Sequence, residues 1–313
     1  MSYIFLLIVL LGVMVGYIIF AKKLGIIDHP NERSSHNEAT VRGGGVIFPI
    51  TVLLWALLFD HTDWYFVSAV TLMGVMGFID DRYSLSQLPR LIIQSLGVML
   101  ILVEIGLLSL PIFYTGIAFI LITGWLNTFN FMDGVNGILV LYAGSVLTGV
   151  YIFKDAIPDI QLSLVYAIGL SLIVFGWCNV RKNAFAFAGD VGSLSMGLIL
   201  AYFVSSLILA TGRWEFILLF SIYGVDSVLT ILHRIKNGEN IFEAHRSHLY
   251  QFLANEMKWP HIKVSLLYSI LQLVIIAGLF FLDKEFWTFY AIGLLLMLCL
   301  VYTLAKRKIL QLL

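Results

Sequence analysis

The chain is built on apolar stretches that recur at nearly the length of a membrane crossing. They fall at about 2–20, 43–59, 65–79, 91–108, 111–126, 137–153, 160–178, 193–210, 216–232, 262–282 and 286–304 of the 313 residues. A bilayer core needs roughly 20 apolar residues per helix, with a range of about 17–25, so the pattern predicts about eleven transmembrane helices. Composition agrees, since 60% of residues are apolar and 12% charged, against about a quarter charged in a soluble domain. The expected fold class is an all-α polytopic membrane protein, a single domain over residues 1–313. The net charge of zero gives no sign of a nucleic-acid partner. Cys178 and Cys299 sit far apart in apolar stretches, which suits packing rather than a disulfide. The first twenty residues have no basic start and no small-residue cleavage site, and read as a retained first helix.

The joints between the runs alternate in character. Those at residues 60–63, 109–111, 154–159, 211–215 and 283–285 are brief, whereas the other five carry dense polar clusters. Of the 19 Lys and Arg residues, 16 lie in these five loops, their flanks and the C-terminal tail; the remaining 3 are Lys154, Arg213 and Lys284. The positive-inside rule then puts the five polar loops in the cytoplasm, the N-terminus outside and the C-terminus inside. Any active site is expected on that face.

Each cluster has a chemical reading and a plainer one. The first loop holds Asp28, Arg33, Ser34, Ser35, His36 and Arg42, then Gly43-Gly44-Gly45. Glycines let backbone N–H groups approach a phosphate, although a basic loop also suits anionic headgroups. The second holds Asp80-Asp81-Arg82 and then Arg90. Adjacent carboxylates closing a helix repel each other and oppose the helix dipole, so they call for a cation, a proton or a partner. The third holds Asn127, Asn130, Asp133 and Asn136, spaced so that a helical segment keeps the asparagines near one face. Such amides bind a nucleotide or sugar, complete a metal shell, or cap broken helix ends. The fourth, Gly189-Asp190-Val191-Gly192-Ser193, follows Asn179, Arg181 and Lys182 and suits either a hard cation such as Mg²⁺ or Mn²⁺ or an N-cap. The fifth gathers His233, Arg234, Phe242, His245, Arg246 and His248, a set fitted to a diphosphate. Asp226, at the inner end of the ninth run, has no assignable role from sequence.

In order, these motifs resemble the polyprenyl-phosphate N-acetylhexosamine-1-phosphate transferases (glycosyltransferase family 4), the superfamily that includes the phospho-N-acetylmuramoyl-pentapeptide transferases. The resemblance rests on Gly-Phe-x-Asp-Asp, Asn-x-x-Asn-x-x-Asp-Gly-x-Asn-Gly, Gly-Asp-x-Gly-Ser and His-Arg … Phe-x-x-His-Arg-x-His-Leu, and spans essentially the whole chain. It implies transfer of a HexNAc-1-phosphate from a UDP-amino sugar to undecaprenyl phosphate, releasing UMP, in the bacterial cytoplasmic membrane. By the same resemblance Asp190 is the Mg²⁺ ligand, and Asp80 and Asp81 the pair near the acceptor phosphate. Asn127, Asn130, Asp133 and Asn136 form the nucleotide-sugar and catalytic shell, and His245, Arg246 and His248 the diphosphate clamp. Arg42 and Arg90 are added as substrate-binding residues from the loop chemistry. The muramoyl-pentapeptide branch has aspartate where this chain has Asn136, and three consecutive histidines where it has His245-Arg246-Ser247-His248, which points away from a muropeptide donor. An ion-coupled transporter is the alternative class, but transporters place such residues near the bilayer midplane. Membrane lipids are expected partners, and a homodimer is left open.

Overall fold

The computed structural model describes residues 2–30, 38–59, 63–157, 159–240 and 245–312. The chain there is almost wholly helical, as lipid demands: a backbone in hydrocarbon must satisfy its N–H and C=O groups within its own segment. The helices are α1 (Ser2–Leu24), α2 (Ile47–Leu58), α3 (Trp64–Tyr83), α4 (Gln87–Glu104), α5 (Ile112–Phe131) and α6 (Ile138–Ile152). They continue as α7 (Asp159–Asn179), α8 (Gly189–Thr211), α9 (Ser221–Lys236), the short α10 (Leu249–Gln251), α11 (His261–Phe281) and α12 (Trp287–Leu312). Two-residue strands β1 (Ile27–Asp28) and β2 (Thr40–Val41) pair antiparallel within the first loop.

Every apolar run falls on a helix. Among the described residues, eight helical segments are long and apolar enough to cross a membrane: α1, α4, α5, α7, α8, Trp214–Lys236 (which contains α9), α11 and α12. Gly44–Leu58 and Ile138–Ile152 are shorter apolar helices, and α3 is 20 residues long but ends in Asp80, Asp81 and Arg82. The protein is thus an all-α polytopic membrane protein. Arg33, Ser34, Ser35 and His36 of the first loop, and Phe242 of the fifth, lie outside the described residues.

The core is arranged around α8, the most buried of the eight segments, while α12 is the least buried. Helices α2, α3, α5 and α6 pack on it. Lipid tails are as apolar as leucine, so helices in a membrane associate through close packing, and small residues permit it. At Gly77 of α3 an added Cβ would lie 2.5 Å from the backbone nitrogen of Val191, so no side chain fits between the two helices. Asp81 is one turn beyond Gly77, and this contact delivers it to the first turn of α8.

The asparagines do not share one helix. Asn127 and Asn130 lie on α5, which stops at Phe131, whereas Asn136 follows the break. Gly137 there adopts φ +85°, a left-handed conformation that glycine takes without steric penalty, and α6 begins immediately after it.

Candidate active site

Backbone pairing draws the first loop onto the fourth. Phe187 N–H donates to Val41 O at 2.8 Å, Gly44 N–H to Phe187 O at 2.8 Å, and Gly45 N–H to Ala188 O at 3.0 Å. Arg42 lies inside this ladder, its carbonyl also held by the Tyr17 hydroxyl at 2.7 Å. Its Nε donates to Asp81 Oδ1 at 2.7 Å, and an outer nitrogen lies 3.9 Å from Asp190 Oδ1.

Asp81 further accepts the backbone N–H groups of Asp190, at 2.9 Å, and Val191, at 3.2 Å. A carboxylate that opposes the dipole of its own helix therefore serves the orphan amides at the start of another, where negative charge is favoured. Asp80 turns the other way. It accepts the Leu85 N–H at 2.6 Å and lies 3.1 Å from Arg90 Nε. Arg90 also reaches Asp190 Oδ2 at 3.4 Å. The two arginines thus tie three carboxylates from two helices into one cluster.

The cluster is unevenly covered. The Asp81 and Asp80 side chains are 1% and 5% exposed, and Asp190 is 18% exposed. The carboxyls of Asp80 and Asp190 lie within hydrogen-bonding reach of each other. Three carboxyls share two guanidiniums here, and Asp190 is the most open of the three. Among the described residues no three His, Cys, Asp or Glu side chains are disposed to hold a metal by themselves.

Asp133 borders this cluster from the α5–α6 break. Burial, followed by the negative charge of Asp81, pushes its carboxyl up to about 7. The group is therefore poised near neutrality between accepting and donating a proton. Asn130 joins through Ser193, whose hydroxyl donates to Asn130 Oδ1 at 2.5 Å. The other two asparagines spend their amide donors on backbone. Asn127 donates to Thr123 O within its own helix at 2.9 Å. Asn136 donates to Arg181 O at 2.9 Å and Lys182 O at 3.0 Å, fastening the third loop to the fourth. Buried Asn179 makes a second fastening, accepting from Gly137 N–H at 2.8 Å and donating to Ala186 O at 3.0 Å.

The fifth loop docks on the third. The Tyr250 hydroxyl donates to Phe131 O at 2.8 Å, and the Phe131 ring lies 6.1 Å from that of His245. Asp226 organises this loop from below: it accepts from the Tyr268 hydroxyl at 2.6 Å, Leu249 N–H at 3.0 Å and Tyr250 N–H at 3.3 Å, and pairs with His248 Nδ1 at 3.3 Å. The mid-helix carboxylate without a role in the sequence is thus the anchor of the histidine loop. His245 and His248 have ring centres 5.0 Å apart. Burial and the neighbouring His248 push His245 down to about 4, so at neutral pH it contributes hydrogen bonds rather than charge. Arg246 lies between them in sequence and is partly buried. Arg234 faces its own loop instead, on Glu239 at 3.0 Å and Asn240 O at 2.6 Å.

Five loops of a polytopic helical membrane protein therefore converge on one arginine–carboxylate cluster bordered by a histidine loop. A sequence profile described as Glycosyl transferase family 4 matches residues 64–208. The chain is 31% identical over 265 residues to the probable undecaprenyl-phosphate N-acetylglucosaminyl 1-phosphate transferase of Bacillus subtilis (strain 168), covering 74% of this chain and 71% of that protein. It is 25% identical over 292 residues to the undecaprenyl-phosphate alpha-N-acetylglucosaminyl 1-phosphate transferase of Thermotoga maritima, covering 90% and 89% of the two chains. It is also 26% identical over 309 residues to the phospho-N-acetylmuramoyl-pentapeptide-transferase of Thermodesulfovibrio yellowstonii, covering 81% and 84%. The chain belongs to glycosyl transferase family 4, a family of membrane transferases.

Proposed function

We propose that the protein transfers a HexNAc-1-phosphate, GlcNAc-1-phosphate or that of a related amino sugar, from a UDP-sugar to undecaprenyl phosphate. The products are UMP and a lipid-linked diphosphate sugar, the starting unit of a cell-envelope glycan. The observation that carries this reading is the Arg42–Asp81–Asp190–Arg90–Asp80 cluster with Asp133 beside it. Phosphoryl transfer is catalysed mainly by positioning and by neutralising charge on the transferring group, and such a cluster supplies both.

Arg42 and Arg90 hold phosphate oxygens as forked donors. Asp80 and Asp81 keep those guanidiniums aimed, Asp81 with its oxygens occupied by Arg42 and two backbone amides. A carboxylate so engaged is a poor nucleophile, which favours direct in-line attack by the acceptor phosphate over a covalent aspartyl-phosphate. Asp133 takes the residual proton of the acceptor. The donor diphosphate lies along His245, Arg246 and His248, with Asn130 on its sugar-nucleotide side. Asp190, helped by Asp80, would hold Mg²⁺ or Mn²⁺. When bound, the ion would supply positive charge to the donor diphosphate. The excess of basic residues on the five-loop side supports a cytoplasmic active site and an outside N-terminus, and the bacterial relatives support a location in the bacterial inner membrane.

The test is UMP release by the purified protein in detergent, with undecaprenyl phosphate, Mg²⁺ and a panel of UDP-amino sugars. Turnover that EDTA abolishes supports the proposal. No release with any UDP-HexNAc overturns it. Trapping of a labelled phospho-enzyme without lipid would overturn direct attack.

A further inference from the structure

The C-terminal helix contributes no residue to the site, yet one of its lysines is buried against it. In the basic tail Lys306-Arg307-Lys308, Arg307 and Lys308 are exposed, whereas Lys306 is 5% exposed. Its ammonium has three protons and three acceptors: Ser247 O at 2.8 Å, the Tyr302 hydroxyl at 3.0 Å and Thr230 Oγ1 at 3.4 Å. Tyr302 sits one helical turn before Lys306, and its hydroxyl bonds Thr230 Oγ1 at 2.6 Å. Thr230 in turn reaches Asp226 Oδ1 at 3.3 Å.

The geometry points to Lys306 as a positioning residue for the His245–His248 loop, holding the Ser247 carbonyl while Asp226 holds the His248 ring and the next two amides. The loop is gripped on both sides of the Ser247–His248 peptide, from α12 and from α9. A buried ammonium is costly unless it is hydrogen-bonded, and this one has an acceptor for each of its three protons. A purely structural filler at this site would need no charge. The grip leaves His248 Nε2 buried and without a hydrogen bond. The ring is clamped at one nitrogen and unspent at the other, and its orientation depends on the peptide that Lys306 holds.

In its kinetic arm the inference rests on the transferase reading; in its exchange arm it does not. Lys306→Met, Lys306→Arg and the exposed control Arg307→Met are compared by steady-state UMP release and by hydrogen–deuterium exchange of the full-length protein in detergent. Lys306→Met is expected to raise the KM for the UDP-sugar roughly ten-fold, the scale of one hydrogen bond to a charged group. The KM for undecaprenyl phosphate should stay unchanged, and peptides covering residues 245–251 should exchange faster. Lys306→Arg restores part of the donor KM, and Arg307→Met changes neither readout. Unaltered exchange over residues 245–251 in Lys306→Met overturns the inference, as does an equal shift in both substrates' KM. If Lys306→Met does not fold, a wild-type donor KM in Lys306→Arg together with a raised one in Arg307→Met overturns it. A wild-type protein that turns over no UDP-sugar removes the transferase reading and leaves the exchange measurement to decide on Lys306.

Discussion

Asp133 is the residue whose chemistry is most open to test. A carboxyl held near 7 instead of 3.8 is protonated below neutrality and ionised above it. As proton acceptor for the lipid phosphate, it makes kcat/KM rise with pH through about 7. Asp133→Asn removes that limb and lowers turnover by about 100-fold or more, within the span of general acid–base effects. The sign for stability is opposite. A carboxyl with a raised folded pKa stabilises the fold at low pH and loses that contribution as pH rises through about 7. Asp133→Asn should therefore melt no lower than wild type at pH 8, which separates lost chemistry from lost folding. Near-normal activity in the variant would reduce the α5–α6 break to a helix cap. At this scale the charged pairs were legible from sequence, because carboxylates at a membrane helix end are expensive without partners. Where amide donors go was not. Asn127 and Asn136 look like Asn130 in a motif, yet both end on backbone carbonyls, Asn127 on Thr123 one turn back in its own helix and Asn136 on Arg181 and Lys182, 45 and 46 residues away.

Helix against helix, α3 and α8 are the pair that matters. Their approach at Gly77 aligns Asp81 with the amides of Asp190 and Val191. Gly77→Ala puts a methyl group against the Val191 backbone, and forcing extra volume into such a contact costs about 1–3 kcal/mol. The variant should melt measurably lower and lose turnover together, because separating the helices also breaks the Asp81 bonds. A wild-type melting temperature would mean that the helices slide apart freely, and that the contact does not set the site. Hydrophobic periodicity located the helices well, since a membrane span announces itself by length and composition. It placed the joint between the fifth and sixth runs, but it said nothing of the roles of Asp226 and Lys306, whose functions exist only once α9, α12 and the fifth loop are packed together.

Seen whole, the molecule builds its site from loops far apart in sequence. Residues 41 and 187 are joined by a backbone bond that holds Arg42 over α8. Phe187→Pro removes the N–H that reaches Val41 O, and should abolish UMP release while leaving the helical content, measured by circular dichroism, intact. Phe187→Ala keeps that N–H and should retain most activity. Retained turnover in the proline variant would show that Arg42 finds Asp81 without the ladder. The five-loop convergence itself was expected from the distribution of basic residues. The pairing between first and fourth loops was not, because two-residue strands carry no periodicity to read.

That ladder also bears on how relatives of this chain are sorted into active and inactive. A homologue is easily judged intact when every arginine, aspartate and histidine stands in its place, while a proline opposite the second strand has disabled it. In this architecture part of the competence is written in peptide units, and an inventory of side chains passes over it.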